Sequence, residues 1–130
     1  MNGLSLRNRR TGQVVVSDVR LATTFWQRFR GLQFRRPLIE GEGLLLVPCR
    51  SLHTHWMRFP ISVVALDCRG IVVEHRAKVA PWRMVSAPRA TRAILETTAC
   101  ALPVSVGDEL ALVHSPAAAE LPASVRFLQR

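Results

Sequence analysis

The sequence predicts a mostly β fold, a compact antiparallel β-sandwich or flattened barrel with one short helix early in the chain and short helical turns. Short β-prone apolar runs alternate with turn residues along the chain. Eight prolines and seven glycines are spread over 130 residues, which suits many short elements joined by tight turns. The chain has neither strand–helix–strand alternation nor a glycine-rich phosphate loop, so a parallel nucleotide-binding fold is not expected.

The first third of the chain is predicted to form a hairpin, a helix and a buried strand. Leu4–Arg7 and Val14–Val16 flank a turn at Gly12, which predicts a hairpin. Ala22–Gly31 has apolar residues at helical spacing and predicts the early helix, packed as a lid on the sheet. Leu44–Val47 is a continuous apolar run and predicts a strand that is buried on both faces.

Two adjacent strands are expected at the centre of the fold. Ser51–Met57 is the first strand candidate, and Ile61–Asp67 is the second. Cys68–Gly70 predicts a turn, after which Ile71–Arg76 returns as the antiparallel partner. This hairpin has the clearest pattern in the chain.

The second half continues with shorter elements. Val79–Pro88 contains two prolines and predicts an irregular loop, and Thr91–Thr97 predicts a strand. Ala99–Val106 predicts a short helical or turn segment, followed by a strand at Glu109–Val113.

The domain prediction is a single β-rich domain over residues 1–114 and a loosely packed C-terminal tail over residues 115–130. The tail contains two prolines and many alanines. Val125, Phe127 and Leu128 are its only large apolar residues after Leu121, and they offer an alternative in which the tail docks on the domain.

Charge and cysteine content limit the classes of function. The chain has 18 Lys+Arg against 9 Asp+Glu, a net charge of +9. Its arginines are scattered and lack an aromatic-plus-basic platform, so nucleic-acid binding is not expected. Three cysteines without a CxxC pair argue against a disulfide framework or a cysteine-rich zinc site. We expect a cytoplasmic protein, a monomer or weak dimer, that does not bind membranes, since no apolar run approaches ~20 residues and no signal peptide is visible.

The residues near the predicted central strands offer two possible reactive sites, a metal site and a nucleophilic cysteine–histidine pair. Cys49, His53 and His55 share one face of a strand and could offer a thiolate and two imidazoles to a metal ion. Cys49 and His55 would lie about 20 Å apart on an extended strand, so no metal or other cofactor is expected. A nucleophilic pair of Cys49 or Cys68 with a histidine lacks any local signature of an activated thiol.

Asp67 and Glu96 are the carboxylates that draw attention. Asp67 ends an apolar strand, where the following turn could donate hydrogen bonds to it. Glu96 lies within a strand that otherwise reads as buried, so it needs a partner. A structural ion pair with an arginine is the preferred interpretation, and a ligand-contacting acid is the second. The candidate arginines are Arg58, Arg76 and Arg83.

The order of several rare residues resembles a small domain known as domain of unknown function 192 (DUF192). The matching segments are Gly31-Leu32, Gly41-x-Gly43-Leu44-Leu45-Leu46, His53-Thr54-x-Trp56-Met57-x-x-Pro60-Ile61, Leu66-Asp67-x-x-Gly70-Ile71-Val72, Leu95-Glu96 and Gly107-Asp108-Glu109-Leu110. The forms Cys49-x-Ser51-Leu52-His53-Thr54 and Pro81-Trp82-Arg83 resemble its cytoplasmic bacterial branch. The resemblance covers about residues 14–113 and implies a mostly antiparallel β fold without an established activity.

The first functional hypothesis is a non-enzymatic binding or accessory domain with a shallow polar and aromatic pocket for a small polar ligand. The alternatives are a hydrolase or thiol- or metal-dependent enzyme that uses Cys49, His53 and Asp67, and an interaction protein that pairs with a protein partner through an exposed β edge. The predicted ligand-binding residues are Thr54, Trp56, Met57, Arg58, Asp67 and Glu96.

Overall fold

The computed structural model describes residues 3–24, 38–53, 59–114 and 123–129. Within them the chain forms ten β-strands and one short 3₁₀ helix at Ala123–Leu128. The strands are β1 (Leu4–Asn8), β2 (Val14–Val16), β3 (Asp18–Ala22), β4 (Glu42–Leu46), β5 (Ser51–His53), β6 (Ile61–Asp67), β7 (Val72–Val79), β8 (Met84–Ser86), β9 (Thr91–Thr98) and β10 (Leu110–His114).

The strands form three sheets, which confirms the predicted mostly β fold. The largest sheet has the order β3-β4-β9-β6-β7, the second has the order β10-β1-β2, and β5 pairs with β8 in a two-stranded ribbon. Every pairing is antiparallel except that of β3 with β4. The central strand of the largest sheet is β9. Over the described ranges the architecture is that of a β-sandwich, and their strands do not close into a barrel.

Two apolar clusters cover the two faces of the five-stranded sheet. On the first face, Leu66 and Leu95 pack in one cluster with Leu6 and Leu112 of the three-stranded sheet. This cluster joins the two sheets. The opposite face, called the second face below, carries a smaller cluster of buried residues: Ala22, Leu44, Leu46, Ile61, Val63, Val79, Val85 and Ile94.

The two predicted hairpins are confirmed. β1 pairs with β2, and β6 pairs with β7 across the turn at residues 68–70. Asp67 fixes this turn, since its Oδ1 accepts hydrogen bonds from the backbone N–H of Arg69 at 2.8 Å and of Ile71 at 3.0 Å. Gly70 completes the turn with φ +79°, a backbone conformation that residues other than glycine rarely adopt.

Other expectations change because distant segments pair. Ala22 belongs to β3 rather than to the start of a helix, and the remainder of the predicted helix lies outside the described residues, apart from Thr23 and Thr24. β5 and β6 are not adjacent strands, since β5 pairs with β8. β8 lies inside the stretch expected to be an irregular loop. Residues 99–106 form bends and a turn rather than a helix.

The C-terminal helix packs into the core. Val125 and Leu128 are 0% and 1% exposed, and Phe127 packs against the same cluster that joins the two large sheets. Gln129 forms an isolated bridge with Leu112 of β10. This packing concerns residues 123–129, while residues 115–122 lie outside the described part of the chain.

A polar network ties the first hairpin to the turn before β10. The buried Asp108 accepts hydrogen bonds from Arg10 Nε at 2.6 Å, Asn8 Nδ2 at 2.8 Å and the Ser105 backbone N–H at 2.9 Å. These donors hold the pKa of the Asp108 carboxyl well below its ordinary value, and Arg10 contributes most. Asp108 is therefore occupied in a structural role.

Candidate ligand-binding face around Glu96

Glu96 places a carboxyl group in the middle of the second face of the five-stranded sheet. It lies on the central strand β9, opposite Leu44 of β4 on one side and Val63 of β6 on the other. Its side chain is buried, and its Oε2 has no hydrogen-bond partner. Loss of solvent raises the pKa of Glu96 from 4.5 to about 8, because burial penalises the charged form. At neutral pH the group is mostly a neutral acid that can donate a hydrogen bond.

Two arginines occupy the ends of the row that crosses the sheet at Glu96. Cross-strand register places Arg20 beyond Leu44 on β3, and Arg76 beyond Val63 on β7. Each arginine lies two strands from Glu96, which corresponds to about 10 Å between Cα atoms. The row therefore has a neutral acid at its centre and a cation at each edge.

Both arginines are turned toward other carboxylates. Arg76 Nε lies 3.3 Å from Glu74 Oε1, and Arg20 Nη2 lies 3.8 Å from Glu42 Oε2. The expected ion pair between Glu96 and Arg76 is therefore not formed, because Arg76 contacts its own strand neighbour. Arg58, another expected partner, lies outside the described residues.

Asp18 and Glu42 bring two further carboxyl groups onto the same face. They lie side by side in the parallel pair of β3 and β4. Glu42 is buried, and its Oε1 accepts a hydrogen bond from the Ile39 backbone N–H at 2.9 Å. Asp18 Oδ1 is also buried and, like Glu96 Oε2, has no hydrogen-bond partner in the described structure. The second face thus has an acidic end, defined here as Asp18, Glu42 and Glu96.

A cleft of about 280 Å³ opens beside this acidic end. It runs along the start of β4 and the end of β9, and Glu42 and Thr98 belong to its wall. Thr98 is the next residue after Glu96 on the same side of β9, and its hydroxyl donates to Cys100 Sγ at 3.7 Å. The lining residues fall in four segments, 14–17, 40–42, 97–98 and 100–103.

Asp67 and Glu96 occupy different parts of the sheet. Asp67 lies opposite Thr91, whereas Glu96 lies opposite Val63, four residues earlier on β6. Four residues of strand correspond to about 13 Å. Together with the hydrogen bonds from the turn to Asp67 Oδ1, this distance assigns Asp67 to the β6–β7 turn and separates it from the acidic end.

The structure describes two of the three residues of the possible metal site, Cys49 and His53. Cys49 Sγ donates to the Ser51 backbone carbonyl at 3.1 Å, and His53 ends β5. Among the side chains that the structure describes, no group of three or more His, Cys, Asp or Glu could hold a metal ion. His55 lies outside the described residues.

Four of the six predicted ligand-binding residues also lie outside the described residues, namely Thr54, Trp56, Met57 and Arg58. The chain on either side of this segment is described. Cys49 and Phe59 both pack against the apolar cluster of the second face.

Sequence reasoning identified Glu96 but missed Asp18 and Glu42. Glu42 lies between two glycines, a local pattern that is typical of a turn rather than of a strand. Asp18, Arg20 and Ala22 alternate with the buried Val19, which is a strand signal that a helix prediction at Ala22 obscured. Their contact across a parallel pair has no local signature in the sequence.

The amino-acid sequence of the chain is similar to those of two archaeal proteins. The chain is 28% identical over 133 residues to a UPF0127 protein of Thermococcus sibiricus, covering 96% of this chain and 85% of that protein. It is 34% identical over 105 residues to a UPF0127 protein of Pyrococcus furiosus, covering 76% of this chain and 90% of that protein. Both organisms are archaea, so these relatives do not confirm a bacterial branch.

Two crystal structures share the fold. A protein of unknown function from Novosphingobium aromaticivorans matches with a TM-score of 0.69 and 21% identity, covering 82% of this chain and 81% of that one. A candidate transcription regulator from Sinorhizobium meliloti matches with a TM-score of 0.69 and 20% identity, covering 82% and 89%. The DUF192 family model, described as an uncharacterized ACR, matches residues 6–112. The chain therefore belongs to the DUF192 family.

Proposed function

We propose that this chain is a small, non-enzymatic ligand-binding domain of the cytoplasm, and that its ligand binds at the second face around Glu96. The observation that carries the proposal is the buried Glu96 carboxyl group, whose Oε2 has no hydrogen-bond partner in the described structure. An unpaired buried polar atom costs about 1–3 kcal/mol. A bound ligand that forms a hydrogen bond with Glu96 Oε2 would remove this cost in the complex.

The neighbouring cleft supports this proposal by its size and by Glu42, which belongs both to its wall and to the acidic end. A volume of about 280 Å³ lies close to the lower end of the range for small-molecule sites. Its wall combines the apolar Val16 and Leu102 with the polar Glu42 and Thr98. That combination of an apolar lining and a few polar groups is typical of ligand pockets.

Thr54, Trp56, Met57 and Arg58 remain predicted ligand contacts. Their support is the packing of Cys49 and Phe59, on either side of this segment, against the apolar cluster that adjoins Glu96. In this proposal Trp56 forms the aromatic wall of the site. Asp67 contributes through the β6–β7 turn rather than by contact with the ligand.

The β-edge alternative receives less support from the structure. The five-stranded sheet ends at β7, whose exposed residues include Arg76 and Lys78. Charged side chains on an edge strand discourage the addition of another strand.

The described part of the chain contains no helix that is both long and apolar enough to cross a membrane.

A thermal-shift screen of small polar compounds tests the proposal with the wild type and the Glu96→Gln variant. We expect at least one compound to raise the melting temperature of the wild type saturably, since a ligand at 100 times its Kd stabilises by about 2.7 kcal/mol. Glu96→Gln keeps the shape of the side chain and should abolish that shift. Glu109→Gln is the matched control, because Glu109 pairs with Arg9 outside the acidic end.

Tryptophan fluorescence separates the predicted aromatic wall from an exposed tryptophan. The ligand found in the screen should change the emission of the wild type and of Trp82→Phe, whose replaced side chain is 53% exposed in the β7–β8 loop. It should leave the emission of Trp56→Phe unchanged. A compound that raises the melting temperatures of the wild type and of Glu96→Gln equally would bind elsewhere, and the proposal would fail if every active compound behaved in this way.

A further inference from the structure

The acidic end of the second face and its cleft differ in charge from the rest of the protein. The chain carries twice as many cationic as acidic residues, 18 against 9. The cleft nevertheless has two acids in its wall, Glu40 and Glu42, and no lysine or arginine among the lining residues that the structure describes. Asp18 and Glu96 extend the acidic group along the sheet face. Four of the nine acids are thus gathered in one region of a basic protein.

Two oxygen atoms in this region lack hydrogen-bond donors. Asp18 Oδ1 and Glu96 Oε2 are buried and have no partner in the described structure. In their ionised forms both groups only accept hydrogen bonds, so the partners that would stabilise those forms are donors. Since each oxygen belongs to a group that can carry negative charge, a donor with positive charge would satisfy both requirements.

A single metal ion fits this arrangement poorly. The register puts Asp18 and Glu96 two strands apart and two residues out of step, a separation of about 12 Å between Cα atoms. The described side chains contain no group of three that could converge on one ion. A molecule several bonds long can reach both oxygens, whereas one ion cannot.

We infer that the acidic end of the second face binds an organic cation, a small molecule that carries primary amine or guanidinium groups. The acids Glu40 and Glu42, in the wall of the cleft, attract the cation to this edge of the sheet. Its N–H groups donate to Asp18 Oδ1 and Glu96 Oε2. This inference rests on the proposed ligand-binding function and specifies the ligand class for the same site.

Binding of a cation should release a proton. The free Glu96 carboxyl is mostly protonated at pH 7, because its pKa is raised to about 8 by burial. A cation beside it favours the ionised form and lowers that pKa. The other charged groups on this face of the described structure include Asp18 and Arg20 on β3, Glu42 on β4, the exposed Arg92 on β9, and Glu74 and Arg76 on β7. Arg20 and Arg76 already pair with Glu42 and Glu74.

Three probes of equal length and different charge test the inference by isothermal titration calorimetry: butane-1,4-diamine, butane-1,4-diol and succinate. We expect saturable binding of the diamine alone. At pH 7 the heat should differ between phosphate and MOPS buffers, neither of which carries a primary amine, because a proton passes to the buffer on binding. Glu96→Gln should remove that difference, and both Glu96→Gln and Asp18→Asn should weaken binding at least tenfold. Glu109→Gln should bind as the wild type does.

The outcomes separate this inference from the proposed function. If the diol or succinate binds in a Glu96-dependent way and the diamine does not, the organic-cation inference is overturned and the ligand-binding proposal stands. Absence of diamine binding up to about 10 mM overturns the inference, since that limit excludes even weak specific affinity. Equal weakening by Glu109→Gln and Glu96→Gln would show attraction to overall charge rather than to this site, and would also overturn it.

Discussion

Glu96 illustrates at the scale of one residue how the fold changes an ordinary side chain. The carboxyl group lies between Leu44 and Val63 on neighbouring strands and far enough from Arg20 and Arg76 to remain unpaired by them. Burial without a compensating partner raises its pKa to about 8. Perturbed pKa values of this kind are found at functional sites more often than elsewhere, which is why Glu96 is the centre of the proposal.

The raised pKa predicts how stability depends on pH. Below pH 4.5 the carboxyl is protonated in both the folded and unfolded states. From pH 4.5 to about 8 only the unfolded state ionises, so the free energy of unfolding falls as pH rises. The total loss is on the order of 5 kcal/mol and levels off above pH 8. Urea denaturation between pH 5 and 9 should show this decline in the wild type and not in Glu96→Gln.

Other titrating groups do not obscure this comparison. His75 has a pKa lowered by burial, so its contribution to stability is lost as pH falls below 6.5, the opposite direction. Asp108, with a lowered pKa, loses its contribution only as pH falls below 3.8. Both groups are the same in the two proteins and cancel in their difference. Parallel pH curves for the wild type and Glu96→Gln would contradict the assignment of an unpaired buried acid.

At the scale of the element, the hairpins are the parts that local sequence specifies best. Residues 68–70 form the β6–β7 turn as predicted, because Asp67 and Gly70 supply the acceptor and the positive φ that the turn needs. The β5–β8 ribbon was not predicted. Its strands have three residues each and are about 30 residues apart in the chain, so no local pattern indicates their pairing.

Gly70 and Gly12 form a matched pair for testing the turn. Both have positive φ, +79° and +76°. A Cβ on Gly70 would lie 2.7 Å from the Leu110 backbone oxygen, whereas a Cβ on Gly12 would meet nothing within 4 Å. Gly12→Ala should cost about 1–2 kcal/mol of unfolding free energy, from the backbone conformation alone. Gly70→Ala should cost about 1–3 kcal/mol more, from the steric clash. Chemical denaturation measures both, and equal costs would contradict the close approach of Gly70 to β10.

At the scale of the whole molecule, the two large sheets and the C-terminal helix share one core. Leu128 lies 2.9 Å from the position of a Cβ on Gly70, so the end of the chain packs on the β6–β7 turn. Val125 and Leu128 are both buried in the core that joins the two large sheets.

Leu128→Ala tests whether the C-terminal segment contributes to global stability. Removal of a fully buried leucine side chain should cost about 2–5 kcal/mol, because it leaves a cavity that the neighbours fill only in part. Val106→Ala is the control, since Val106 is 67% exposed and its replacement should change stability by about 0.5 kcal/mol or less. Thermal and urea denaturation compare the two variants. A similar small effect of both would show that the C-terminal helix does not belong to the cooperative core.

Local sequence patterns are sufficient to predict the β-rich fold class, the two hairpins and the buried position of Glu96, because alternation, turn residues and apolar runs act over a few neighbouring residues. Three features follow from long-range pairing instead: β9 is the central strand, β3 pairs in parallel with β4, and Asp18 and Glu42 join Glu96 on one face. The strand pairings that bring them together link residues that are 24 to 54 positions apart. Their register follows from which faces can be buried together, and that depends on the whole chain at once.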